Sequence, residues 1–233
     1  MDSLAIKLGI PYTKRYGFPI CGCCLATVAP RRDPRDREVV PGPPGTVRAC
    51  DSISGRMQSS NLPEPWLRGP LPSVDPMLAP LLMSLHMASE DLLRYTGGLS
   101  DAQLWCSWPG IASVGFHLRH IQGSVDRLCS YLEGHELTEQ QRIMLAREAD
   151  PGHNRDQLLA SIQESFAHFE RIVRTLGPGE LLQPRFVGRK KLPTTVIGLV
   201  VHLAEHTQRH VGQAITTAKF ALASIGGDDP DGG

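Results

Sequence analysis

Three histidines in the C-terminal part of the chain have the spacing of metal ligands on one helical face. His202, His206 and His210 lie in the run VVHLAEHTQRHVGQ at positions i, i+4 and i+8, which on a helix spans an arc of about 80°. Imidazoles at i and i+4 can share one divalent metal ion, because a helical turn rises only about 5.4 Å. The outer two histidines are about 12 Å apart along the axis. The pattern therefore predicts a pair that contains His206 and either His202 or His210.

A third ligand is expected from a facing helix, because metal sites in the core of helical bundles draw their ligands from facing helices. The segment FHLRHI supplies His117 and His120, three residues apart, and either one completes a set of three imidazoles. Three neutral nitrogen donors leave coordination positions open, as catalytic sites do. The opposing interpretation is that these histidines are hydrogen-bonded core residues, since His-x-x-x-His arises by chance and the Glu of the protease motif His-Glu-x-x-His is missing.

Four long helices are predicted in the part of the chain that carries these histidines. Each has apolar residues at intervals of three and four, a start signal and a glycine near its end. They cover residues 75–97, 113 to about 133, 154–177 and 194 to about 225, with Asp75, Ser113, Asn154 and Thr194 as N-caps. A short extra helix is expected at 138–148, in the long connection between the second and third helices. No alternating strand pattern is found, so no sheet is expected.

The predicted fold class is all-α, a four-helix bundle over residues 76–225. Residues 1–60 contain the run PRRDPRDREVVPGPPG and bury too little apolar surface to offset chain entropy, so a disordered N-terminal extension is expected. An extended arm at 61–75 is expected to join it to the bundle, and a flexible tail is expected at 226–233. We also hypothesise that native translation starts near Met57, so that the preceding residues are not native.

The charge balance excludes several classes of partner. The chain has 24 basic and 24 acidic side chains, so no basic surplus favours nucleic acid. No apolar run reaches the roughly 18 residues that a membrane span needs. Lys7, Lys14 and Arg15 interrupt the N-terminal region before an apolar stretch of signal-peptide length can form. We expect a soluble cytoplasmic protein that binds neither nucleic acid nor membrane, with cysteines that remain free thiols.

Two segments resemble the DinB-like family of metal-binding four-helix bundles: AEHTQRHVGQ, preceded by LPTT, and SVGFHLRHI. The resemblance implies a three-histidine site, with one ligand on the second helix and a His-x-x-x-His pair followed by Gly-Gln on the fourth. That pair maps onto His206 and His210. On the second helix the family pattern fits His120 better than His117. The resemblance therefore implies His120, His206 and His210 as metal ligands, and leaves His202 as a core residue or a neighbour of the ligands.

The resemblance covers about residues 62–222 and implies a metal-dependent enzyme. Relatives with assigned activities include bacillithiol S-transferases and mycothiol-dependent maleylpyruvate isomerases, in which the metal activates a low-molecular-weight thiol. By this analogy we expect Zn²⁺ or Ni²⁺ to activate such a thiol, or water, for transfer to a small electrophilic substrate. The alternatives are a metal-dependent hydrolase that shares the site and a non-catalytic metal-binding or dimerising helical module. A homodimer is the candidate assembly.

Overall fold

The computed structural model describes residues 62 to 225 and shows the predicted all-α fold. The expected disordered extension at 1–60, the translation start near Met57 and the tail at 226–233 lie outside the described residues. Among the described residues there are six α-helices, one β-hairpin and two 3-10 turns. The helices are α1 (Ala79–Tyr95), α2 (Asp101–Trp105), α3 (Val114–Leu132), α4 (Glu139–Ala146), α5 (Arg155–Thr175) and α6 (Val196–Ile225); the strands are β1 (Pro184–Val187) and β2 (Leu192–Thr195); the 3-10 turns are Pro65–Leu67 and Pro178–Glu180.

The hydrophobic core lies among α1, α3, α5 and α6, which correspond to the four long helices predicted from the sequence. α3 packs against both α5 and α6, and α1 packs against α6. Burial of a large aliphatic or aromatic side chain stabilises the fold by about 1.5–3 kcal/mol. The apolar residues buried between the four long helices therefore hold these helices together. The fully buried side chains include Leu82, Leu85, Leu118, Ile121, Val125, Ile162, Phe169 and Leu203.

The predicted helix boundaries are confirmed where a side chain caps the helix. The Ser113 hydroxyl accepts a hydrogen bond from the Phe116 backbone N–H at 3.1 Å and so begins α3. Asn154 and Gln157 form both bonds of a capping box at the start of α5. α1 begins at Ala79, a few residues later than predicted, because Asp75 caps a separate turn that precedes the helix.

The expectation that no sheet forms is wrong, because β1 and β2 pair as an antiparallel hairpin. The strands are four residues long, too short for an alternating pattern to be recognised. The turn between them depends on Gly188 at φ +70° and Lys191 at φ +49°. The predicted cap Thr194 lies in β2, and the Thr195 hydroxyl accepts from the Gly198 backbone N–H instead, at 3.1 Å.

Two short helices lie in the connections between the long helices. α4 confirms the short helix expected at 138–148, whereas α2 was not expected; it begins at a capping box of Ser100 and Gln103. The segment 61–75, expected as an extended arm, contains the 3-10 turn at Pro65–Leu67. None of the helices in the described range combines the length and apolar character needed to cross a bilayer.

Candidate metal centre

Histidines from α3 and α6 meet at the interface between these two helices. His120 lies on α3, and its Nε2 is 2.9 Å from Nε2 of His206 on α6. The ring centroid of His210, one turn further along α6, is 4.3 Å from that of His120 and 4.7 Å from that of His206. One ring nitrogen from each of the three histidines lies within 4.8 Å of the other two. The three imidazoles therefore converge on one point.

The structure places the other two candidate histidines, His202 and His117, differently from these three. His202 is about one-third exposed, and its Nδ1 is 2.9 Å from Oε1 of Glu205 on the same helix. His117 is buried beside the group, with its Nδ1 3.1 Å from Nδ1 of His210. Neither belongs to the set of three nitrogens that converge. The structure thus brings together His120, His206 and His210, and places His117 and His202 at the edge of the group.

Burial keeps the imidazoles of His117, His206 and His210 neutral. Desolvation, together with the positive form of the nearby His120 ring, lowers the pKa of His206 to about 3 and that of His210 to about 2. Desolvation likewise lowers the pKa of His117 to about 4. Neutral imidazoles have the lone pairs that a divalent cation needs from its ligands. Three imidazoles fit a divalent cation. The buried Nδ1 of His206 has no hydrogen-bond partner among the described residues, so no hydrogen bond within that part of the chain sets the tautomer of this ring from its Nδ1 side.

Comparison with sequence models of known families identifies the superfamily of this chain. A sequence model of the DinB superfamily matches residues 84–214, more than half of the 233-residue chain. The chain belongs to the DinB superfamily. The matched range contains most of α1, all of α3 and α5, and the first two-thirds of α6, with all of the converging histidines. No curated protein matches the chain.

A buried carboxylate that sequence reasoning missed completes this DinB-superfamily site. Glu148 follows α4, is only 5% exposed, and places its Oε2 2.7 Å from Nδ1 of His120. Its other oxygen, Oε1, accepts a hydrogen bond from Nη1 of Arg127 on α3 at 2.8 Å. A Cβ atom at position 123 would lie 2.8 Å from both Oε1 of Glu148 and Nη1 of Arg127, so Gly123 leaves the room this ion pair occupies. No local spacing relates Glu148 to His120, so the sequence contained no signal for the contact.

One aromatic ring covers the site, and an ion pair lies outside it. The Phe116 ring stacks on His120, with centroids 5.5 Å apart and planes at 16°, and covers one side of the site. On the outer face of α6, Arg209 donates to Glu205 at 2.5 Å, as an exposed i, i+4 ion pair. Such exposed pairs contribute about 0–1 kcal/mol, so this one is a surface feature.

A cavity of about 510 Å³ elsewhere in the protein is distinct from this site. Its walls come from α3, α4, α5 and the segment before α5, and include Arg119, Gln122, Met144, His153 and Arg171. None of the converging histidines lines it. The candidate metal site is therefore identified from its three converging imidazoles and not from this cavity.

Proposed function

We propose that His120, His206 and His210 bind one divalent metal ion, and that the chain is a metal-dependent enzyme of the DinB superfamily. In this proposal the site activates a low-molecular-weight thiol or a water molecule for transfer to a small electrophilic substrate. The observation that carries the proposal is the convergence of three ring nitrogens within 4.8 Å. Membership of the superfamily supports it.

The donor set favours catalysis over a purely structural role. Structural zinc sites are closed by four protein ligands, usually including thiolates, whereas three imidazoles leave room for a further ligand. A divalent cation bound there supplies positive charge that lowers the pKa of an adjacent thiol or water at neutral pH. Because the imidazoles of His206 and His210 are neutral, they leave that charge uncancelled. Phe116 and the buried Glu148 exclude water from the His120 side of the site.

Metal analysis of the purified full chain tests the ligand assignment. We expect one Zn²⁺ or Ni²⁺ ion per wild-type chain by inductively coupled plasma mass spectrometry, and less than about a tenth of that in His120→Ala, His206→Ala and His210→Ala. His202→Ala is the matched control, since it removes an imidazole one turn before His206 and should retain the metal. Equal metal in wild type and His206→Ala contradicts the assignment.

Activity assays separate the three candidate functions. The metal-loaded protein is incubated with small electrophiles, with and without added low-molecular-weight thiols such as bacillithiol, mycothiol or glutathione. Product that requires the thiol supports an S-transferase, and product formed equally without it supports the hydrolase. Metal bound in full amount with no turnover of any substrate supports the non-catalytic module. Location in the cytoplasm and a homodimer stay predictions from the sequence, and size-exclusion chromatography with light scattering tests the second.

A further inference from the structure

We propose that Glu148 is a positioning residue that fixes the tautomer of His120, so that the lone pair of Nε2 faces His206 and His210. This inference rests on the proposed metal site. A carboxylate can only accept hydrogen bonds, so the 2.7 Å contact of its Oε2 requires the proton of a neutral His120 to be on Nδ1. The Nε2 atom, 2.9 Å from Nε2 of His206, is then unprotonated and free to bind a cation.

Arg127 makes the orientation of Glu148 unambiguous. Its guanidinium can only donate, and its Nη1 lies 2.8 Å from Oε1 of Glu148. The side chain of residue 148 must therefore present an acceptor to Arg127 and, in the native protein, a second acceptor to His120. In Glu148→Gln the single amide oxygen pairs with Arg127, and the amide NH₂ is directed at Nδ1 of His120. That arrangement favours the tautomer with its proton on Nε2, which has no lone pair to offer the site.

The contact of Glu148 with His120 can be separated from the docking of the segment that carries Glu148. α4 has no buried residue, and polar bonds hold it and the residues after it against α3. The Gln141 amide donates at 2.8 Å to both Asp126 and Ser130, and Arg119 donates to the carbonyl of Arg147 at 3.0 Å. Gln141→Ala therefore loosens the segment without altering either partner of Glu148, and serves as the matched control.

The first test measures Zn²⁺ affinity by competition with a chromophoric chelator. We expect Glu148→Gln to bind about 10- to 100-fold more weakly than wild type, as loss of a carboxylate behind a ligating histidine does, and Gln141→Ala to remain within about twofold. Circular dichroism and the melting temperature establish that each variant is folded. Unchanged affinity in Glu148→Gln overturns the inference. An equal loss in Gln141→Ala also overturns it, because docking of the segment would then be the cause.

The second test is a rescue. In the double variant Arg127→Met/Glu148→Gln the amide has no guanidinium to satisfy, and it can turn its oxygen towards Nδ1 of His120. We therefore expect the double variant to bind Zn²⁺ at least about fivefold more tightly than Glu148→Gln alone, although two native groups have been removed. A folded double variant that binds no better than Glu148→Gln overturns the assignment of the effect to the tautomer.

The third test reads the tautomer directly and needs no metal. Long-range ¹⁵N–¹H NMR spectra of the metal-free protein distinguish the two tautomers of each imidazole, and the His120→Gln spectrum identifies the signals of His120. We expect the proton on Nδ1 in wild type and on Nε2 in Glu148→Gln. A wild-type ring protonated on Nε2 overturns the inference even if the protein binds metal. If the wild-type protein binds no metal but has the proton on Nδ1, the proposed function fails and the role of Glu148 stands.

Discussion

At the scale of single residues, the converging histidines differ in what holds their rings. His120 contacts the carboxylate of Glu148, and His210 contacts the ring of His117. The buried Nδ1 of His206 has no partner among the residues that the structure describes. Groups behind the ligands orient them and tune their affinity. Loss of a ligand and loss of a neighbour should therefore have effects of different size.

His117→Leu tests whether His117 is a neighbour or a ligand. As a neighbour of His210, its loss should weaken Zn²⁺ binding by about tenfold while the bound stoichiometry stays at one ion per chain. The chelator-competition assay measures the affinity, and His202→Leu on α6 is the control with unchanged binding. Loss of all bound metal in His117→Leu would show that His117, rather than one of the three converging histidines, is a ligand.

Cys129 should be chemically inert in the folded protein. It is a free thiol with no exposed surface, and burial, reinforced by the nearby Glu133 and Asp126 carboxylates, raises its pKa to about 12. The thiolate is the reactive form, so at pH 8 almost none is present. Peptide mapping by mass spectrometry should find Cys129 unmodified after iodoacetamide treatment of the native protein, and fully modified after treatment in guanidinium. Rapid native labelling would contradict this.

At the scale of secondary structure elements, the position of the site depends on where α3 begins and how it is rotated. α3 carries Phe116, His120 and Arg127 on the side that faces α6 and Glu148, while Ile121 and Val125 are buried in the core. Ser113 determines its first turn through the bond to the Phe116 N–H. Fraying of this turn would displace the residues just before His120.

Ser113→Ala should destabilise the protein by about 1–2 kcal/mol, because the Phe116 N–H loses its partner at a buried helix end. Urea denaturation followed by circular dichroism measures the loss. Ser161→Ala is the control, since the Ser161 hydroxyl only donates to the Gln157 carbonyl within the exposed part of α5. Its effect should be within about 0.5 kcal/mol. Equal losses in both variants would mean that the cap contributes nothing specific.

At the scale of the whole molecule, the apolar core holds α3 and α6 close enough that imidazoles are buried between them. That burial opposes their protonation, which lowers the pKa values of His117, His206 and His210 below the value of 6.5 of a free side chain. The unfolded chain therefore binds more protons than the folded one in acid, and proton binding favours unfolding. Stability of the metal-free protein is coupled to pH through the site.

The metal-free protein should lose stability as the pH falls below 6.5. The contribution of the three histidines is fully present above that pH and declines as the pH falls towards their folded-state pKa values of about 4, 3 and 2. Between pH 7 and pH 4.5 the free energy of unfolding should fall by about 3 kcal/mol or more. Urea titrations in the presence of a chelator measure this. His206→Leu should show a shallower pH dependence, and an unchanged slope in that variant would contradict the assignment to the histidines.

The sequence by itself determined the long helices and the family, because the signals for both are local. The caps at Ser113 and Asn154 and the apolar stripes act within a few residues of each other, so the boundaries of α3 and α5 followed from the sequence. The His-x-x-x-His spacing likewise needs only one helix. The strands at Pro184–Val187 and Leu192–Thr195 were missed because a hairpin of this length is stabilised by pairing across its turn.

Only the tertiary structure decided which histidines meet and what stands behind them. Helical spacing alone admits both His117 and His120, and only the family resemblance favoured His120. The packing of α3 against α6 brings His120 to His206, whereas Nδ1 of His117 lies 3.1 Å from Nδ1 of His210. Glu148 reaches His120 across 28 positions of the chain, a contact that no local spacing could indicate. Interhelical rotation and long-range contacts depend on the packing of the whole core, which is why periodicity placed the histidines on their helices but could not choose among them.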